Sequence, residues 1–246
     1  MLLFWFPNFR LGTRETKPRM TESWPHIRVA AADFRYLLGR GYPRKAALTL
    51  VGNRYRLEEV PRRLLHRGVF APEVARARRA KLRLLSDLPG VPLALDGHNV
   101  LITLECALRK LPLVAADDGF VRDVGEVSRA FKVSPETDRV LTLLADYLAG
   151  HRAGPLEVFY DAPLSRSGEL ARRTREIFAS RGLIIQARAV PVPEQVLAAF
   201  PGAVATSDTA LIDAHEPVVD LAGEIIRPNP AWRLIDLKEL GPGEAG

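Results

Sequence analysis

Four acidic positions stand where short apolar runs end. Asp96 follows Val91 to Leu95, Asp117 and Asp118 follow Leu111 to Ala116, Asp161 follows Leu156 to Tyr160, and Asp208 follows Ala203 to Ser207. Short continuous apolar runs alternating with helix-like stretches read as strands of a parallel sheet with covering helices. All strand C-termini of such a sheet emerge on one edge, where open α/β sheets bind their ligands. Carboxylates gathered there repel and raise one another's proton affinity, which a bound cation relieves. An all-oxygen set with no Cys or His selects hard Mg²⁺ or Mn²⁺. Asp96, Asp208, Asp118 and Glu105 are the candidate metal ligands, and Asp96, Asp118, Asp161 and Asp208 the candidate catalytic set. The chemistry implied is metal-assisted attack of water on a phosphodiester. Each aspartate would also suit a βα turn or a helix N-cap; four together favour a site.

Neighbouring residues extend the pattern. Gly97 allows a tight turn after Asp96, Asn99 can hold that loop or cap the next helix, and Glu105 falls one to two turns into that helix. Ser165, Arg166 and Ser167 precede a helix, so hydroxyls, backbone N–H groups and a guanidinium could cradle a phosphate. Asp213, five residues beyond Asp208, is the weaker candidate of that pair, because a helical turn need not put both on one face. Cys106 lies mid-helix in a mostly apolar segment and reads as core.

The elements that must position these residues divide at Gly90. Residues 1–90 carry 19 Lys and Arg against 7 Asp and Glu, net +12, and residues 91–246 carry 16 against 22, net −6. Helical spacing with Gly and Pro punctuation predicts four helices in the basic part: Ala30 to Gly39, Arg44 to Gly52, Glu58 to His66 and Glu73 to Leu88. The acidic part predicts strands at the runs above and at Leu183 to Val190. Helices fit between them at Val100 to Lys110, Pro135 to Gly150, Ser165 to Arg181 and Pro193 to Phe200. Residues 1–19 read as a tail or over-extended start, with Met20 as an alternative; residues 20–90 read as a basic all-α domain and 91–246 as an α/β domain.

Guanidinium groups clamp phosphates and aromatic faces stack unpaired bases, so the basic part suits RNA or single-stranded DNA. Arg40, Arg44, Lys45, Arg54, Arg62 and Arg63 are the candidate contacts, with Tyr36, Tyr42 and Tyr55 among them either as stacking platforms or as core. The run Ala75 to Arg83 could belong to the same surface or be a solvated helix face.

Several classes are excluded. A 47% hydrophobic and 26% charged composition is that of a globular chain, and no stretch is long and apolar enough for a membrane span. One cysteine cannot close an internal disulfide, and the five histidines show no zinc spacing, so a cytoplasmic location is expected. Phosphate-binding, dinucleotide-binding and nucleophile-elbow motifs are absent.

Two resemblances rest on these residues. From about Asp33 to Asp220, with YLLGRGYPRKAALTLVGNRY, LDGHNVLITLE, ADDGFVRD, DAPLSRSGELA and ATSDTALID, the chain resembles a largely archaeal family known only as a domain of unknown function. LALDGHNV, the strand ending in Asp161, and VATSD are similar to the PIN-like nucleases, especially their NYN branch. That likeness implies a Rossmann-like parallel sheet, a carboxylate cluster binding Mg²⁺ or Mn²⁺, and RNA cleavage. It matches Asp96 to the first metal-binding aspartate and Asp208 to the late one. Glu105, Asp118 and Asp161 stay open as the residue completing the cluster, and the SRSG element lies outside the NYN signature. The expected protein is a PIN-like metal-dependent nuclease with a nucleic-acid-gripping head. The rivals are a non-catalytic nucleic-acid adaptor and a Toprim-like phosphoryl-transfer enzyme using Glu105, Asp117 and Asp118.

Overall fold

The computed structural model describes Trp24 and residues 26–124, 133–151, 153–164, 166–232 and 234–237. The tail expected at residues 1–19, Met20 and Ser165 lie outside them. Helices α1 (Ile27–Gly39), α2 (Arg44–Arg54), α3 (Glu59–Gly68) and α4 (Pro72–Lys81) form the basic head. Pro72 opens α4, where a missing N–H costs nothing. The fourth helix was expected to reach Leu88 but ends at Lys81. Leu82–Arg83 instead forms β1, an edge strand of the main sheet paired with Val218 and Val219. Tertiary pairing overrides helical spacing there.

The α/β part continues as β2 (Leu93–Asp96), α5 (Gly97–Leu108), β3 (Leu113–Ala115), β4 (Val121–Asp123), α6 (Pro135–Ala149), β5 (Leu156–Asp161), α7 (Ser167–Ala179), β6 (Ile185–Val190), α8 (Pro193–Ala198) and β7 (Ala203–Ala205). It closes with α9 (Thr209–Ala214), β8 (Val218–Val219), α10 (Leu221–Ile226) and β9 (Leu234–Asp236). Six strands form a Rossmann-like sheet in the order β1-β8-β7-β2-β5-β6, every neighbouring pair parallel. The α/β class and the small helical region before it are as the sequence implied.

Period-two alternation shows why both faces are covered. Leu93, Leu95, Val158, Tyr160, Ala203 and Ala205 face a core shared with α5, α6, α7 and α10. Their alternates Ala94, Phe159 and Val204 face Leu197 of α8 and Leu211 of α9. Strands buried on two sides are nearly all apolar, and β2 ends where its first polar residue, Asp96, meets the rim.

The run ending at Asp117 and Asp118 does not join this sheet. β3 pairs antiparallel with β4 and parallel with β9 in a separate three-stranded sheet. Asp117, Asp118 and Gly119 form the hairpin turn, with Gly119 at φ +93°, a conformation favouring glycine. Val114, Val124, Ile235 and Leu237 of this region share one core with Phe34, Val51, Leu64 and Leu65 of the head. Among the described residues no helix is long and apolar enough to cross a membrane.

Candidate carboxylate site and arginine pocket

The main sheet changes winding direction at β2: the chain moves from β2 to β5 and β6 on one side, then crosses back to β7 and β8 on the other. Ligands of open α/β sheets sit outside the strand ends at such a point. Asp96 ends β2 opposite Phe159, Asp161 lies two residues further along β5, and Asp208 follows β7 by three residues. Gly97 makes the approach possible, since a Cβ there would stand 2.3 Å from Tyr160 Cε1 and 2.8 Å from the Phe159 carbonyl oxygen.

Asp96 is partly buried, and burial first, then the neighbouring carboxylates Asp208 and Asp161, push its pKa up to about 7. Its side-chain donor among the described residues is a hydroxyl: Thr206 Oγ1 donates to Oδ2 at 2.8 Å. Thr206 Oγ1 in turn accepts the Asp208 N–H at 3.0 Å. Asp208 caps α9 through Oδ1 alone, which accepts from the N–H groups of Ala210 and Leu211 at 2.9 and 3.1 Å. No Lys, Arg or His of the described residues forms an ion pair with Asp96 or Asp208. Asp161 is half-exposed beside His98, its Oδ2 3.3 Å from Nδ1, while its backbone N–H donates to that Nδ1 at 3.1 Å. Burial lowers the His98 pKa, so the ring is neutral at pH 7 and acts there as an acceptor.

Asn99 locks the loop across from β7. Its Oδ1 accepts from the Ser207 N–H at 2.8 Å and from Ser207 Oγ at 3.0 Å. Asn99, expected to hold the loop after Asp96 or to cap the next helix, instead holds the loop after β7; Thr206 and Ser207 read only as companions of Asp208, and His98 only as part of the turn after Asp96. Their only signal was adjacency to the strand-end aspartates.

The structure brings Asp96, Asp161 and Asp208 together and leaves Asp118 and Glu105 elsewhere. Asp118 is fully buried, with Arg122 Nη1 and Nη2 donating to its two oxygens at 2.7 and 2.9 Å and Arg78 Nη1 at 3.3 Å. It sits in the hairpin of the second sheet, which carries it away from the strand ends. Asp117 accepts a two-pronged contact from Arg35 at 2.7 and 2.8 Å. Glu105 is buried and accepts from Thr137 Oγ1 at 2.6 Å; burial raises its pKa. Asp213 pairs with Arg78 at 2.7 Å through both oxygens. Arg166 is exposed and spends two bonds on Glu169, and the buried Ser167 donates to the carbonyls of Asp161 and Leu164, which closes the loop on itself. Cys106 is core, its thiol pushed up to about 12 by burial.

The three remaining carboxylates form an all-oxygen donor set of the kind hard cations take. Among the described residues no three His, Cys, Asp or Glu side chains close around one point.

On the head, Arg40, Lys45 and Arg54 are exposed, as are Tyr36 and Tyr42. Tyr55 is half-buried and donates to Asp33 at 2.6 Å. Arg54 pairs with Asp33, Arg62 with Asn53 and the Leu57 carbonyl, and Arg63 with Glu59. Arg44 turns inward to a pocket of about 320 Å³ between head and sheet, which Arg67, Arg78 and Arg122 also line. Sequence reasoning missed this grouping: Arg78 belongs to a run that reads equally well as a solvated face, yet it is buried.

A parallel α/β sheet with carboxylates at its switch point, fronted by a basic helical head, is the class these features define. The chain belongs to the family described as Domain of unknown function (DUF5616), which matches residues 85–224. Residues 26–81 match a second family, Protein of unknown function (DUF434). The chain is similar to the Uncharacterized protein MJ0935 of Methanocaldococcus jannaschii, 32% identical over 202 residues, or 81% of this chain and 96% of that one. The resemblance to a largely archaeal family of unknown function is thereby upheld. No solved structure matches the chain.

Proposed function

We propose that this protein is a divalent-cation-dependent phosphodiesterase acting on RNA. The observation that carries the reading is Asp96: a partly buried carboxylate with no cationic partner among the described residues, beside Asp161 and Asp208 at the switch point of the sheet. A fold tolerates such a group when something else supplies the positive charge.

Asp96 and Asp208 would hold Mg²⁺ or Mn²⁺, Asp208 through the Oδ2 that its helix cap leaves over. When bound, the ion supplies a lowered water pKa and stabilisation of the leaving oxygen. Asp161, whose backbone N–H is held by His98 Nδ1, would accept the proton of the attacking water. Thr206 fixes the Asp96 carboxylate, and Asn99 fixes the loop that carries Thr206 and Asp208. Exposed Tyr36 and Tyr42 with Arg40, Lys45 and Arg54 support contact with an unpaired strand, for which stacking and phosphate clamping combine.

The test is cleavage of an end-labelled single-stranded RNA with Mn²⁺, Mg²⁺ or EDTA by wild type, Asp96→Asn and Asp208→Asn. Cation-dependent cleavage by wild type, lost in both variants while each still melts cooperatively, is the expected result. Undiminished cleavage by both variants overturns it. Salt-sensitive RNA binding that ignores EDTA and yields no product replaces it with the adaptor reading.

A further inference from the structure

We propose that the pocket between the head and the sheet is a binding site for a terminal phosphate, a phosphomonoester on a nucleotide or on the end of a strand. The inference rests on the reading above only for the kind of molecule that carries the phosphate.

Four guanidinium groups meet there from four elements: Arg44 at the start of α2, Arg67 near the end of α3, Arg78 on α4 and Arg122 on β4. Arg44, Arg78 and Arg122 all pack on the Phe70 ring, 4.7, 4.7 and 5.1 Å from its centre. Carboxylates match three of the four. Arg67 has Asp123 at 3.0 Å, Arg78 has Asp213 and Asp118, and Arg122 has Asp118. Arg44 has no carboxylate partner among the described residues. Of the five N–H donors a guanidinium carries, it gives one to the His66 carbonyl oxygen. Burial, then repulsion by Arg78 and Arg122, brings its pKa down to about 10. The cluster therefore carries an unbalanced positive charge with spare donors facing a concave space.

An anion relieves that imbalance, and geometry narrows which one. Guanidinium forks match phosphate oxygens two at a time. The volume is at the lower end of small-molecule sites, enough for a phosphate and the group attached to it. Leu38 and Val74 supply an apolar flank, which a bare inorganic ion would leave unused. With one charge unmatched, charge alone does not separate a diester from a monoester; a monoester offers three free oxygens to the guanidinium forks where a backbone diester offers two.

The pocket also adjoins the carboxylates through one short loop. Thr206 bonds Asp96, Ser207 bonds Asn99 and accepts Arg122 Nε at its carbonyl oxygen at 2.8 Å, Asp208 lies beside Asp96, and Thr209 lines the pocket. Four consecutive residues thus face a cation site on one side and an anion site on the other. A phosphate anchored by Arg44 would set which linkage reaches Asp96.

The experiment is calorimetric binding by the full chain in EDTA, which removes the cation site from the measurement. The probes are a 5′-phosphorylated oligothymidylate, its 5′-hydroxyl counterpart and thymidine 5′-monophosphate. Wild type should bind the phosphorylated strand at least tenfold more tightly than the hydroxyl strand. Arg44→Ala and the bulkier Arg44→Gln should abolish that preference, while Arg188→Ala on the far edge strand and Asp96→Asn should keep it. Competition by the mononucleotide at equal concentration assigns the site to free nucleotides; competition only by the strand assigns it to strand ends. Equal binding of both strands by wild type, or a preference surviving in both Arg44 variants, overturns the proposal. Absence of cleavage by wild type with this preference intact would instead count against the phosphodiesterase reading alone.

Discussion

Asp96 and Asp118 follow apolar runs of similar length and composition, yet one ends in the β2 strand and the other in the hairpin between β3 and β4. Asp118 is enclosed by two guanidinium groups and has no exposed surface. Asp96 receives a hydroxyl and a backbone N–H and faces two more carboxylates. The contrast separates two uses of buried charge. A carboxylate whose partners lie within the fold joins head to sheet, whereas one left unbalanced at a sheet edge stores a tendency to take up a proton or a cation. The arginine pocket repeats the distinction with opposite sign, since Arg122 is matched and Arg44 is not.

The largest effect expected from this comparison is on the matched pair. Arg122→Ala strips Asp118 of its two shortest bonds and leaves a charge with no exposed surface, so a loss of about 3–5 kcal/mol is expected. Equilibrium denaturation at pH 7 measures it; a loss under 1 kcal/mol would mean that the network is not holding the two parts together.

Asp96→Asn should do the reverse. The folded pKa of about 7 lies above the ordinary carboxylate value, so the folded state binds the extra proton and wild type loses stability as pH rises from about 4 to about 7. The variant has no such proton to lose. It should equal wild type near pH 4 and exceed it above pH 7 by an amount on the order of 3 kcal/mol. A pH series of denaturation curves without divalent cation reads this directly, and parallel profiles for the two proteins would sharpen the comparison against Asp96.

Much of the frame was legible in the residues. The runs at Leu93 and Ala203 are apolar on both alternating sets and that at Leu156 nearly so, with Glu157 its one exception, which is what a strand buried on two faces requires, and the aspartates after them mark where each reaches the rim. Asn99 read as a holder of its own turn, but its partner Ser207 lies across the sheet and shows in no local pattern. Which sheet a strand joins was not legible. Leu113–Ala115 has the same apolar character as its neighbours, and only pairing with β4 and β9 sends it elsewhere. Elements of two to six residues such as β1, β8, α9 and α10 are too short to show a period. The arginine pocket was hidden for a different reason: its members lie in four separate elements, and Arg78 differs from its solvated neighbours only in the direction its helix presents it.

On the proposed function the unbalanced carboxylates hold a divalent cation. The most direct measurement is Mn²⁺ titration of wild type and Asp96→Asn by calorimetry, with an uncleavable 2′-O-methyl RNA present to complete the ion's shell. Saturable binding by wild type that is lost in the folded variant is the expected result. Equal binding by both, or none by wild type, would contradict it.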